Sequence, residues 1–166
     1  MFVQQLKLYF LIITVVSTFF LGYRWYKDYE FNKNKLSTKL MQEVYYKQRI
    51  LRSLAIKHYN IHQKIPIKIS DKLPDNLFGA ATLDTQNNII IYLNKKRFQE
   101  SSDYMIDDVL PHEYAHALMF VKGDISQENG GHTLKWQKIC QNLEGKKCDR
   151  FVNNKDIIIG KTGFLY

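Results

Sequence analysis

The chain has 166 residues, enough for one domain with a core, and its composition of 45% hydrophobic and 24% charged residues excludes a disordered or fibrous protein. Its formal net charge of +8 suits anionic partners, but no dense Arg/Lys block with interleaved aromatic residues indicates a dedicated nucleic-acid surface. Its two cysteines, Cys140 and Cys148, are not spaced as Cys-x-x-Cys, which excludes a cysteine zinc ribbon within these residues.

An uncharged apolar segment covers residues 8–23, with Lys7 before it and Arg-Trp-Tyr-Lys at 24–27 after it. Aromatic and basic residues at the ends of a span are typical of the membrane interface. This pattern favours a transmembrane helix over a buried core helix. It also favours a helix over a cleaved signal peptide, because no good small-x-small cleavage site is found. We expect a membrane anchor over residues 1–26 and a polar tether over 27–39.

The charges around this segment bear on its orientation. Lys7 precedes it, and five basic residues follow it: Arg24, Lys27, Lys33, Lys35 and Lys39. By the positive-inside rule, this excess favours a cytoplasmic location for the rest of the chain. A signal anchor with a short N-terminal tail often inserts with its bulk outside, so the outward orientation stays open.

The middle of the chain predicts one helix followed by strands. Apolar residues recur with helical spacing over about 40–59, which indicates a long amphipathic helix. Short strand-like runs follow at 67–69, 78–83 and 88–93. The turn signal Asp-Thr-Gln-Asn at 84–87 joins the last two runs into a predicted β-hairpin.

A helical segment is predicted from about 101 to 121 and contains Pro111. Because an interior proline cannot donate the helical hydrogen bond, we expect either a kink at 108–111 or a restart capped by Asp107 or Asp108.

A further helix is predicted from His132 to about Leu143, and a short strand at 156–159. Cys140 in this helix and Cys148 after it, eight positions apart, either form a small disulfide or remain thiols, depending on the compartment.

Residues 112–116 read His-Glu-Tyr-Ala-His and fall in a predicted helix. Two histidines four apart project from one helix face, so two neutral imidazoles can hold one zinc ion. The glutamate between them can act as general base on a zinc-activated water. The motif therefore indicates a metallopeptidase, which needs a third protein ligand and one position open for water.

His132 is the leading candidate for the third ligand, sixteen positions after His116 and one helical turn before Trp136. Glu128 and Glu144 are alternatives, because some zinc proteases use a downstream glutamate. A purely structural pair of buried histidines is a third interpretation. The other two histidines have no glutamate between them and are expected at an exposed helix end: His58 and His62.

Two segments of the chain are read together here: Leu-Pro-His-Glu-Tyr-Ala-His-Ala-Leu at 110–118 and Gly-His-Thr-Leu-Lys-Trp at 131–136. With them, the chain resembles the SprT-like zinc metalloprotease family. Phe-Gly-Ala-Ala-Thr at 78–82 and the strand after it are similar to the hairpin that precedes the family's active-site helix. The resemblance covers about residues 40–145. The chain departs from the family in having Thr133 where many members have glycine, and in lacking the zinc ribbon often found after the domain.

The resemblance implies an α+β, zincin-like minimal metalloprotease domain over 40–145. In it, a small three-stranded sheet packs on an active-site helix and flanking helices. The transmembrane helix precedes this domain, and a tail over 146–166 with a short strand follows it. The resemblance also implies roles for four side chains: one Zn²⁺ ion held by His112, His116 and His132, and Glu113 as the catalytic base. Trp136, one turn after His132 on the same helix face, is expected to form a wall of the metal pocket.

By the same resemblance the third strand lies beside the site. We expect it to receive an extended substrate strand by β-augmentation, along the edge formed by Ile89, Ile90, Ile91, Tyr92, Leu93 and Asn94. The expected partners are a protein or peptide substrate and a membrane that holds residues 8–23. Nucleic acid is a weaker alternative, because family members that act on DNA-crosslinked proteins rely on DNA-binding elements beyond the protease core.

The leading function is a membrane-anchored zinc metallopeptidase. Its alternatives are a non-catalytic zinc-containing module of the same fold that binds DNA or lipid, and a secreted protease released by signal cleavage and stapled by a disulfide.

Overall fold

The computed structural model describes residues 2–84, 86–125 and 131–148. The chain is α+β and divides into two units, Met1–Leu36 and Ser37–Tyr166. The first unit holds an apolar helix. The second holds a three-stranded sheet with several helices, and it contains every residue proposed above for chemistry.

Helix α1 (Phe2–Lys33) makes up the first unit, and none of its side chains is buried. Its 32 residues extend about 48 Å at 1.5 Å per residue. It is long and apolar enough to cross a membrane, a property that signal sequences near an N-terminus share. The helix continues past residue 26, so the part of the predicted tether up to Lys33 is helical.

Helix α2 (Thr38–Tyr59) opens the second unit and matches the amphipathic helix predicted over 40–59. Ser37 caps its N-terminus, where the hydroxyl oxygen accepts a hydrogen bond from the Leu40 N–H at 3.3 Å. Asn60, in the left-handed conformation with φ of 53°, ends the helix. Its apolar face supplies three buried side chains to the core: Val44, Leu51 and Ala55.

The sheet contains β1 (Ile67–Ser70), β2 (Gly79–Leu83) and β3 (Ile89–Asn94) in the order β1-β3-β2. β2 and β3 pair antiparallel as the predicted hairpin, and β1 pairs parallel with β3. Each strand lies within one residue of its predicted bounds at either end, because alternation and turn residues are local signals.

β3 is the central strand, so the expectation that residues 89–94 form a free edge for a substrate is wrong. Both of its edges are already hydrogen-bonded, to β1 and to β2. Asn94, at its end, is buried, and its side-chain amide donates to the carbonyls of Pro74 at 3.1 Å and Leu77 at 2.8 Å. The other buried side chains of the strand belong to the core: Ile89, Ile91 and Leu93. The outer edges of this sheet are those of β1 and β2.

A run of helical segments follows β3. Helix α3 (Lys95–Glu100) was not predicted from the sequence, and the Asn94 side chain caps its start. A short α4 (Ser102–Tyr104) leads into a π-helical turn at Met105–Val109 and then into α5 (Leu110–Val121).

Pro111 accounts for the π-helical turn. Proline has no N–H to donate, so the helical ladder is interrupted beside it. The Leu110 N–H reaches back five residues to the Met105 carbonyl, and the wide turn keeps the chain helical. Neither Asp107 nor Asp108 caps α5, so this turn replaces the predicted kink or capped restart.

Helix α6 (Leu134–Asn142) begins two residues after the predicted start at His132. Thr133 caps it, because its hydroxyl accepts a hydrogen bond from the Trp136 N–H at 3.3 Å. Helix α5 packs against α2, α6, β2 and β3, and large buried side chains fill the core around it: Leu51, Ile91, Leu110, Leu118 and Trp136. The strand predicted at 156–159 lies outside the described residues.

Candidate metal centre

Three histidine side chains converge beside α5. His112 and His116 lie one turn apart on that helix, and His132 comes from the segment just before α6. Nε2 of His132 is 3.0 Å from Nε2 of His112 and 3.2 Å from Nε2 of His116. The ligand atoms of a tetrahedral zinc ion with Zn–N bonds of 2.0–2.1 Å lie about 3.3 Å apart. The three nitrogens therefore fit around one metal ion.

The His112 ring is held in the form that binds a metal. The Lys147 carbonyl accepts a hydrogen bond from the His112 ring, and since Nε2 faces His132, Nδ1 is the nitrogen left to donate. Burial lowers the pKa of His112 to about 4 and that of His116 to about 3, and the neighbouring imidazoles add to both effects. Neutral rings with a free Nε2 lone pair at neutral pH are competent ligands.

Trp136 packs against all three rings. Its ring centroid lies 4.7 Å from that of His112, 5.0 Å from that of His116 and 4.5 Å from that of His132. Its side chain is buried, and its indole N–H has no hydrogen-bond acceptor within the described part of the chain. Trp136 therefore acts on the cluster by packing, as one wall of the space around the histidines.

Glu113 follows His112 on α5 and reaches the sheet. Its Oε2 accepts a hydrogen bond from the backbone N–H of Ala81, on β2, at 3.0 Å. Burial raises the pKa of Glu113 to about 7, and the Ala81 hydrogen bond acts in the opposite direction because it favours the carboxylate. A carboxylate with a pKa near neutrality can both take and return a proton, as a general base requires.

The outer edge of β2 passes beside Glu113. Across the hairpin the Asp84 N–H donates to the Asn88 carbonyl, so even-numbered residues of β2 form the hydrogen-bonded pairs with β3. Odd-numbered residues then direct their N–H and C=O groups away from β3. The outward N–H of Ala81 donates its hydrogen bond to the Glu113 carboxylate. The strand edge that contacts the candidate base is therefore that of β2 and not of β3.

Gly79 approaches Glu113 so closely that a side chain does not fit. A Cβ there would lie 2.8 Å from Cγ of Glu113 and 3.1 Å from the Tyr92 carbonyl oxygen. We expect Gly79→Ala to displace the carboxylate and lower kcat by about ten- to a hundredfold, with zinc content unchanged. Peptide cleavage and metal analysis measure both quantities. Gly22→Ala, where a Cβ meets no atom within 4 Å, is the control; loss of zinc from Gly79→Ala would contradict the explanation.

The remaining candidates lie apart from this centre. Glu144 is exposed beyond the C-terminus of α6 and is not among the three clustered ligands, and Glu128 lies outside the described residues. His58 and His62 are exposed, as expected.

The sequence interpretation assigned no role to two backbone groups, the Ala81 N–H and the Lys147 carbonyl, or to Gly79. A glycine at the start of a strand signals close backbone approach, so Gly79 could have been found. Backbone groups leave no such signal, because every residue type carries them.

The SprT-like family model matches residues 23–156. The chain belongs to the SprT-like family. The predicted family is thereby confirmed, and the match extends beyond the predicted range of 40–145 on both sides. Membership supports a metalloprotease-type domain, and the three-histidine cluster lies within the matched residues. No curated protein and no solved structure matches the chain.

Proposed function

We propose that this SprT-like chain is a membrane-anchored zinc metallopeptidase with a zincin-like catalytic domain. The observation that carries the proposal is the convergence of His112, His116 and His132 beside a buried glutamate, Glu113. A structural histidine pair would need neither a third imidazole nor a carboxylate with a pKa raised to about 7. Helix α1 supplies the anchor, by its length and apolar composition.

In the proposed peptide hydrolysis, each residue of the site has a separate role. A zinc ion held by the three histidines would polarise the scissile carbonyl and lower the pKa of the attacking water. Glu113 takes a proton from that water and returns it to the departing amine. The Ala81 N–H orients the Glu113 carboxylate, and Trp136 keeps the histidine rings in place.

Metal removal tests the proposed activity directly. Full-length protein in detergent is expected to hold about one zinc ion per chain and to cleave casein. Chelation should stop cleavage, and added zinc should restore it. A zinc-loaded protein that cleaves neither casein nor a library of peptides would support the non-catalytic zinc module instead. Cleavage that survives complete removal of zinc would refute the metallopeptidase.

For the substrate, we propose the outer edge of β2 as the docking strand in place of β3. An extended peptide added there would use outward backbone groups of β2 and lie alongside Glu113. A photo-crosslinking residue at Leu83, on β2, is expected to capture casein. The same residue at Lys68, on the other outer strand β1, is the control. Capture at Lys68 and not at Leu83 would place the substrate elsewhere.

For the orientation, we propose that the catalytic domain faces an oxidising compartment. Cys140 and Cys148 are joined as a disulfide, and disulfides persist in oxidising surroundings. The basic excess after the span favours the opposite side. We give more weight to the covalent bond, because the distribution of basic residues biases the orientation of a span without fixing it. Protease added to intact cells should digest the domain; digestion only after lysis would place it in the cytoplasm. The mass of the mature N-terminus separates anchored from secreted protein.

A further inference from the structure

The chain turns back on itself after α6, and a disulfide closes the turn. The Gly145 N–H donates to the Cys140 carbonyl at 3.0 Å, and the bond between Cys140 and Cys148 joins the helix to the end of the turn. Both cysteines are buried. A Cβ at Gly145 would lie 2.7 Å from Sγ of Cys140. Residues 143–148, the closing loop, are thus folded tightly against α6.

The closing loop reaches the histidine cluster through a backbone group. The Lys147 carbonyl, directly before Cys148, accepts a hydrogen bond from the His112 ring and lies 4.0 Å from Sγ of Cys140. Nε2 of the same ring faces His132 at 3.0 Å. The hydrogen bond therefore fixes the orientation of His112. It also holds the ring proton on Nδ1, which leaves the Nε2 lone pair for a metal.

Helix α6 carries one support of His112 and the anchor of the other. Trp136 lies four residues before Cys140 on this helix, and its ring packs 4.7 Å from the His112 ring, centroid to centroid. Cys140 is fully buried, so it is a fixed anchor for the closing loop. The disulfide therefore links the segment that carries the Lys147 carbonyl to α6, the helix whose Trp136 packs against the His112 ring. A stabilising cross-link alone would not require this placement.

We propose that the disulfide-closed loop is a positioning element of the metal centre, which holds the Lys147 carbonyl where it selects the orientation and tautomer of His112. This rests on the proposed function, which supplies the metal. Without the disulfide the carbonyl loses its tether to α6, and a smaller fraction of His112 rings presents Nε2. Apparent metal affinity falls with that fraction. Removing a hydrogen-bond partner of a metal ligand typically lowers metal affinity by about 10- to 100-fold.

The test is zinc affinity in full-length protein in detergent, measured by competition with a chromophoric chelator. The double variant Cys140→Ser with Cys148→Ser opens the loop and leaves no thiol that could bind zinc. We expect its zinc affinity to fall by about 10- to 100-fold. The visible spectrum of the Co²⁺-loaded protein should change as well. Measurements are made below the unfolding midpoint of the metal-free variant, so that lower stability does not mimic weaker binding.

Lys135→Ala is the control. It removes an exposed ion pair of α6, from Lys135 to Asp124 at 2.9 Å, and leaves the closing loop unchanged, so zinc affinity should stay near that of wild type. If the double variant does not fold, Gly145→Ala displaces the loop while keeping the disulfide and should weaken zinc binding in the same direction.

Three results would overturn the positioning role. Unchanged zinc affinity in a folded loop variant would leave the disulfide as a stabilising bond only. A loss in Lys135→Ala equal to that of the double variant would assign the effect to a general change in α6 and not to the closing loop. If the wild-type protein binds no zinc, the proposed metal centre itself is wrong. The other two results contradict only the positioning role and leave the metal centre in place.

Discussion

Replacing Glu113 by glutamine is expected to lower peptide cleavage by roughly 10²- to 10⁴-fold, the usual contribution of a general base, while zinc binding persists. The amide keeps the size of the side chain, and its oxygen can still accept the Ala81 N–H that Oε2 accepts at 3.0 Å. What it loses is the ability to take a proton. Initial rates of casein cleavage, paired with zinc content of the same sample, measure the two effects separately.

Glu43→Gln provides the matched control for this change. It makes the same chemical substitution on α2, where the carboxylate pairs with Lys39 at 3.9 Å and is not among the clustered ligands. Its cleavage rate should equal that of wild type. Undiminished cleavage by Glu113→Gln would exclude Glu113 as the base, and loss of zinc from that variant would show that the carboxylate supports the metal instead.

The elements around this site were largely predictable because their signals are local. The apolar stripe of α2, the alternation of the strands and the turn at 84–87 each lie within a short segment. The His-Glu-x-x-His spacing acts through a single helical turn, so His112 and His116 could be paired from sequence alone. Family membership rests on a match over residues 23–156.

Strand order could not be read in this way. A hairpin of β2 and β3 leaves open which of its two strands pairs with β1, because either edge offers the same backbone groups. The structure pairs β1 with β3, which closes the edge that the sequence assigned to the substrate and leaves that of β2. The helical turn at Met105–Val109 is a similar case: Pro111 signals a disturbed helix, but not whether the helix bends, restarts or widens.

Replacing His132 by alanine is expected to weaken zinc binding by more than about 100-fold. Loss of a hydrogen-bond partner of a metal ligand costs about 10- to 100-fold, and this change removes the ligand itself. His112 and His116 would remain as a two-nitrogen site on one helix. The ring of His132 bridges them, with Nε2 at 3.0 and 3.2 Å from theirs. Residues 122–131 separate it from the end of α5, so its arrival at the site depends on the tertiary fold. Competition with a chelator measures zinc affinity, and casein cleavage should fall with it.

His62→Ala is the control, since that exposed histidine bonds to the Asn60 side chain and lies outside the cluster. The comparison separates ligand loss from a general effect of removing an imidazole. If His132→Ala kept both full zinc affinity and cleavage, the third ligand would have to be sought at Glu128 or Glu144. If it kept zinc but lost cleavage, His132 would act on the substrate and not on the metal. Only a joint loss fits the proposed site, in which the three clustered imidazoles hold one ion and Glu113 moves the proton.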